Sequence, residues 1–123
     1  MNYDFPCHIT GDTWSGITSI TIKTAGTPVD LTDCKVLVQI KSESDIASPI
    51  FCEFSSEKGD ISILPPYSSG NLSILPKIVD IPAGMYQYEL KIEFPSGIKR
   101  TYLRGTWQIV SGALMQTLSG TRI

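Results

Sequence analysis

The sequence predicts an all-β domain, and three observations carry that expectation. The first is composition: of 123 residues, 16 are Ile, 5 Val and 11 Thr, against only 4 Ala. β-branched side chains fit a pleated, half-buried surface, whereas Ala is a helix former that strands use sparingly. The second is punctuation: 10 Gly and 8 Pro are spread along the chain at intervals that bound short segments. The third is a run of strict apolar/polar alternation, clearest in Tyr86, Tyr88, Leu90, Ile92 and Phe94 against Gln87, Glu89, Lys91 and Glu93.

The length is that of one domain, and 41% hydrophobic residues supply a core. Charged residues are 18% and the net charge is -2. That balance gives no broad electrostatic footprint for nucleic acid. No apolar run approaches the ~20 residues needed to span a bilayer. Met1–Thr10 lacks the basic start and long apolar stretch of a secretory signal. Cys7, Cys34 and Cys52 lie far apart, with no CxxC and one histidine in the chain. They read as three reduced, mostly buried thiols, as expected of a protein made in a reducing cytoplasm.

In chain order, Gly11–Gly16 leads into a strand over Ile17–Lys23. Ile20 and Ile22 share a face and Ile17 is out of phase, which predicts a bulge or an earlier start. Ala25-Gly26-Thr27-Pro28 is a turn. Cys34, Val36, Val38 and Ile40 alternate with Lys35, Leu37, Gln39 and Lys41 as a strand with one mostly buried face. Ser42–Ser48 is a polar loop. Ile50, Cys52 and Phe54 share one face of the next strand, and Ile61 and Ile63 begin another that Pro65-Pro66 stops. Pro66–Asn71 is an exposed loop. Leu72–Ile81 carries Pro76, which cannot donate to a central ladder, so this stretch is an edge strand or a crossing connection. Pro82-Ala83-Gly84 is a turn.

The final hairpin is the strongest local signal. With Ser96-Gly97 as a two-residue tip, Glu93 faces Arg100 and Glu89 faces Arg104. On the other face Ile92 meets Thr101, Leu90 meets Leu103, Tyr88 meets Gly105 and Tyr86 meets Trp107. Opposite charges then meet outside and apolar pairs inside, each favourable pair contributing roughly 0.2–1 kcal/mol. A slip by one residue would scramble both faces. Seven or eight short strands of this kind predict an immunoglobulin-like antiparallel β-sandwich over residues 1–110, followed by an extended C-terminal arm, 111–123. The Cys–Trp–Cys core of an antibody domain is missing.

No catalytic constellation emerges. His8 has no nucleophile elbow to serve and reads as a surface or edge-strand imidazole. Glu89 and Glu93 share a strand face at about 13 Å, too far apart to flank a glycosidic bond, and read as an exposed ladder with arginines. Lys99, Arg100 and Arg104 form a basic cluster that the facing glutamates offset. No phosphate loop or metal-binding motif is present. The expectation is a non-enzyme with no cofactor, metal, nucleic acid, membrane or small-molecule substrate.

Candidate contact residues are few. Trp14, among small and polar neighbours, either stacks on a partner or plugs the open end of the sandwich. Tyr67, in a Pro/Ser/Gly loop, is either an exposed contact or folded back over the core. Trp107 faces inward. In the arm, Leu114, Met115 and Leu118 need something to pack on: the chain's own sandwich or a neighbouring subunit by strand addition.

The order of short motifs resembles a known group of domains. These are Thr10-Gly11-Asp12-Thr13-Trp14, then Gly26-Thr27-Pro28-Val29-Asp30-Leu31-Thr32 running into Cys34–Lys41. Pro82-Ala83-Gly84-Met85-Tyr86-Gln87-Tyr88-Glu89-Leu90 follows, and Thr101–Val110 with Gly105-Thr106-Trp107 closes the series. Over residues 9–110 the chain resembles the immunoglobulin-like β-sandwich domains of tailed-bacteriophage virions, found in baseplate upper proteins and related tail or capsid-associated proteins. The resemblance implies a virion structural protein made in the host cytoplasm, docking on other virion proteins within a homo-oligomer or symmetric assembly. It implies no catalytic residue. A carbohydrate- or surface-binding module, using Trp14 and Tyr67, is the alternative expectation.

Overall fold

The computed structural model describes residues 3–42 and 49–111. Among them are twelve strands and no α-helix. The strands are β1 (Phe5–Ile9), β2 (Thr13–Trp14), β3 (Ile17–Thr21), β4 (Lys23–Thr24), β5 (Thr27–Pro28), β6 (Lys35–Lys41), β7 (Ile50–Ser55), β8 (Ile61–Ile63), β9 (Asn71–Ile74), β10 (Lys77–Ile78), β11 (Gly84–Glu93) and β12 (Lys99–Val110). The expected count of seven or eight is exceeded because β2, β4, β5 and β10 are two-residue pieces. A five-stranded sheet runs β1-β12-β11-β6-β7 and a three-stranded sheet β3-β9-β8, with ribbons β2–β10 and β4–β5.

Alternation builds the five-stranded sheet. Val36, Val38 and Ile40 of β6 and Tyr86, Tyr88, Leu90 and Ile92 of β11 are all buried on one face. Burying an aliphatic or aromatic side chain of this size contributes about 1.5–3 kcal/mol. The facing layer contributes Leu72 and Ile74 of β9 and Ile61 of β8 to the same hydrophobic cluster, so the sheets pack together. One end of that core is aromatic. Trp14 lies 5.0 Å from Trp107 and 5.3 Å from Phe54 between ring centroids. Phe5 stacks on Tyr88 at 3.9 Å.

The sequence reading misses β1 and describes an antiparallel assembly, whereas β1 pairs parallel with β12. The reason is local. In Phe-Pro-Cys-His-Ile only Phe5 and His8 are buried, and the ladder shifts register between them. No period-2 pattern survives that shift. The out-of-phase Ile17 does mark an irregularity, between Ile17 and Ile20 against β9. The stretch around Pro76 divides: β9 is the central strand of its sheet, and Pro76 falls in the break before β10 crosses to β2.

The β11–β12 register holds from Tyr86↔Trp107 to Leu90↔Leu103, then steps by one. Lys91 faces Thr101, Ile92 faces Arg100 and Glu93 faces Lys99. Two features explain this correction. The tip is three residues, Pro95–Gly97, closed by Phe94 N–H to Ile98 O and Gly97 N–H to Phe94 O, each 2.8 Å, with Gly97 at φ +89°. Tyr102 is then an extra residue, a bulge that restores the expected register beyond it. Glu93 consequently meets Lys99 at 3.9 Å in place of Arg100.

Candidate docking surface

The surface feature with the firmest local framework is the loop that carries Tyr67. Pro66 enters it in an extended conformation, and Tyr67–Ser69 form one 3₁₀ turn. Both the Ser69 N–H and the Ser69 hydroxyl donate to Pro66 O, at 3.0 and 2.7 Å. Gly70 leaves in the left-handed region, φ +72°, and its carbonyl accepts from Ile22 N–H at 2.8 Å. A β-carbon there would lie 2.5 Å from Ile22 O, so glycine is required. Tyr67 O accepts from Leu31 N–H at 2.9 Å. The backbone is pinned on both sides and the ring stands 48% exposed. The folded-back alternative for Tyr67 is not adopted.

Tyr67 borders a shallow cleft of about 410 Å³ floored by Leu31, Ile61 and Ile63 and rimmed by Asp33, Lys35 and Glu57. Lys35 Nζ lies 3.8 Å from Glu57. The neighbouring turn is self-sealed: the Asp30 carboxylate accepts from Thr32 N–H at 3.0 Å and from its hydroxyl at 2.6 Å. Those bonds hold Asp30 below the usual carboxylate range, the hydroxyl contributing most. The β11–β12 tip, with Ile98 half-exposed, lies toward the same end, because Glu93 pairs with Lys35 at the start of β6.

Trp14 does not belong to this surface. It is 5% exposed, held among Phe5, Phe54 and Trp107, and so fills the core as the plug alternative expects. Its polar sequence neighbours sit on a two-residue strand that exposes Thr13 and buries Trp14. Leu114, Met115 and Leu118 lie outside the described residues. The structure therefore leaves Tyr67 as the described candidate contact residue.

Of the groups with reactive potential, His8 and Cys34 are buried. His8, expected at the surface or on an edge strand, lies on the edge strand β1 but is buried, its Nε2 3.3 Å from Val79 O. Cys34 is buried and Cys52 half-buried, and desolvation pushes both thiols up. Cys7 is exposed, against the expectation of buried thiols. Its outward position follows from the same broken alternation that hides β1. Among the described residues no group of three or more His, Cys, Asp or Glu is placed to hold a metal. Glu89 pairs with Arg104 at 3.5 Å on an exposed face, an ion-pair ladder rung. No described helix is long and apolar enough to cross a membrane.

No protein-family model matches the chain, and no curated protein sequence is similar to it.

Proposed function

We propose that this chain is a non-enzymatic structural domain of a tailed-bacteriophage virion, an immunoglobulin-like β-sandwich that works by docking on neighbouring virion proteins. The observation that carries the reading is the corner at Pro82–Tyr86. The Tyr86 hydroxyl donates to Pro82 O at 2.5 Å as β11 begins. A tyrosine hydroxyl that bonds back to the backbone just upstream, at the start of the penultimate strand, is a hallmark of immunoglobulin-like sandwiches. It falls within the Pro-x-Gly-x-Tyr motif on which the resemblance rests. Two residues on, where an antibody domain has its second cysteine, stands Tyr88, whose hydroxyl bonds Tyr3 O in the segment that leads into β1.

Strand order supports the same reading. β12-β11-β6-β7 corresponds to the G-F-C-C′ layer of such a sandwich and β3-β9-β8 to B-E-D. The other motifs carrying the resemblance serve as scaffold: Asp30 caps its own turn, and Gly105 packs against the Tyr3 backbone. A rigid brick of this kind works through several modest contacts that add within a symmetric particle.

The test is immunogold labelling of virions with antibodies against the purified domain. The proposal expects gold at one fixed station on the particle, and unlabelled particles would remove it. Incorporation of a Tyr67→Ala chain into particles is expected to fall below that of the parent. The glycan-binding reading retains only Tyr67, since Trp14 is core, and a silent glycan array would end it.

A further inference from the structure

The cleft beside Tyr67 runs along an unpaired strand edge. β8 is bonded to β9 and lies at the margin of its sheet. Leu75 N–H bonds Asp60 O at 2.8 Å, Leu64 N–H bonds Asn71 O at 2.9 Å, and Ser62 faces Ser73 between them. In an antiparallel ladder, residues that exchange hydrogen bonds alternate with residues that do not. Positions 60, 62 and 64 therefore turn their backbone groups toward β9, and Ile61 and Ile63 turn theirs away. The result is two N–H donors and two carbonyl acceptors in extended register, with no ladder partner among the described residues. The strand itself, Ile-Ser-Ile, has neither charge nor proline to guard that edge. The other walls of the cleft are Leu31, Asp33, Cys34 and Lys35, at the entry to β6, and Ser56 and Glu57, at the exit of β7. β6 and β7 belong to the facing sheet, so the cleft opens on the side of β8 away from β9.

We infer that the edge of β8 receives an extended segment of a partner protein as an added strand, with a lysine or arginine side chain of that segment held at the acidic rim of the cleft. The backbone groups of Ile61 and Ile63 supply the strand-to-strand bonds, and the floor of Leu31, Ile61 and Ile63 takes every second, apolar side chain. Charge selects the occupant. The rim sets two carboxylates, Asp33 and Glu57, against one ammonium, Lys35. Lys35 lies 3.8 Å from Glu57, and Asp33 has no hydrogen-bond or ion-pair partner among the described residues. Asp30, in the adjoining turn, adds to this field: after desolvation, Asp30 and then Asp33 push up the Cys34 thiol in the cleft wall. A basic segment is attracted to such a rim and an acidic one is turned away. Pairing β8 with β8 of a second copy would bring two acidic rims together, which like charge opposes. The inference rests on the docking reading of the Tyr67 cleft and not on the virion assignment.

The probe is a displayed library of random heptapeptides, selected on the purified full chain. Enriched sequences are expected to alternate apolar residues and to carry lysine or arginine. A synthetic peptide of the consensus is then titrated into the isotope-labelled chain, where the amide signals of Ile61 and Ile63 should move. Replacing its basic residue by glutamate should weaken binding at least about tenfold. Methylating every second backbone nitrogen should weaken it at least about tenfold in one phase and little in the other, as for a strand paired along one edge. Asp33 sits at φ +58°, a conformation that asparagine tolerates, so Asp33→Asn should keep the fold and bind the basic peptide at least about threefold more weakly at low salt. If that variant unfolds, the glutamate peptide decides. No enrichment, an acidic consensus, unmoved Ile61 and Ile63 signals, equal effects of the two methylation phases, or undiminished binding by a folded Asp33→Asn chain would each overturn the inference. So would a peptide-free chain that self-associates with these two amides already protected from exchange, because a second copy would then hold the edge. Unlabelled virions together with a basic peptide bound at β8 would remove the virion assignment alone. Reduced incorporation of Tyr67→Ala with no peptide at β8 would remove this inference alone.

Discussion

The carbonyl oxygen of Tyr3 lies where a side chain on Gly105 would have to be: a β-carbon built there falls 2.0 Å from it. The missing side chain lets the start of the chain lie against β12. Tyr3 N–H bonds Arg104 O at 2.9 Å, and the Asp4 carboxylate accepts from Thr106 N–H at 3.0 Å. Gly105→Ala is therefore expected to expel residues 3–5 from this seat. With net contributions near 1 kcal/mol per hydrogen bond and lost burial of Phe5, the cost should be about 2–4 kcal/mol, read as a lower urea midpoint.

Tyr88 makes the same seat sensitive to alkali. Desolvation, reinforced by Tyr3 and Asp4, pushes its hydroxyl well above the ordinary 10.0. The folded protein then keeps a proton that the unfolded chain releases. The contribution is full below about pH 10 and is lost as pH rises from there toward the folded value. Buried thiols open a similar window from about pH 9, so the diagnostic is a difference. Stability measured against pH should fall less steeply above pH 10 in Tyr88→Phe than in the parent. At neutral pH the variant should be about 1–2 kcal/mol less stable, having lost its bond to Tyr3 O.

Trp14 and Tyr67 are expected to separate stability from docking. Trp14→Ala removes a buried ring from an aromatic cluster and should cost about 3–5 kcal/mol, enough to threaten folding of a domain this size. Tyr67→Ala removes a half-exposed ring and should change stability by no more than about 0.5 kcal/mol. Thermal melts of both variants check this pair.

The Glu89–Arg104 rung should matter little. Both side chains are partly solvent-exposed, at 31% and 62%. Arg104→Gln is expected to cost about 0.2–1 kcal/mol at low salt, and the difference should vanish near 1 M salt, where screening acts within about 3 Å.

Legibility in the sequence followed periodicity. β6 and β11 alternate without interruption, and their buried faces were readable residue by residue. The hairpin register is readable from Tyr86 to Leu90 and not from Lys91 to Glu93, for a reason invisible in the letters: a three-residue tip and a bulge at Tyr102 displace it by one residue in opposite senses. β1 was opaque because its pairing is parallel, irregular and about a hundred residues distant, so nothing local encodes it. Trp14 misleads for a related reason. Its neighbours describe a turn, and the rings of Phe54 and Trp107 that pack on it, like the β10 ladder, lie far along the chain. Tyr67 was readable because Pro, Ser and Gly act locally on the backbone that presents it.

The parallel seam of β1 on β12 also dictates an order of events during synthesis. Trp107 Nε1 reaches back to Pro6 O across 101 positions. The two halves of this seam are therefore synthesised about a hundred residues apart, the second only after β2 to β11 have been made. β6, β7 and β11 are able to associate early, while Phe5 and His8 must wait in solvent for their partners. Slow closure of such distant contacts leaves this apolar margin bare longest, and chaperone capture of the nascent chain should concentrate there.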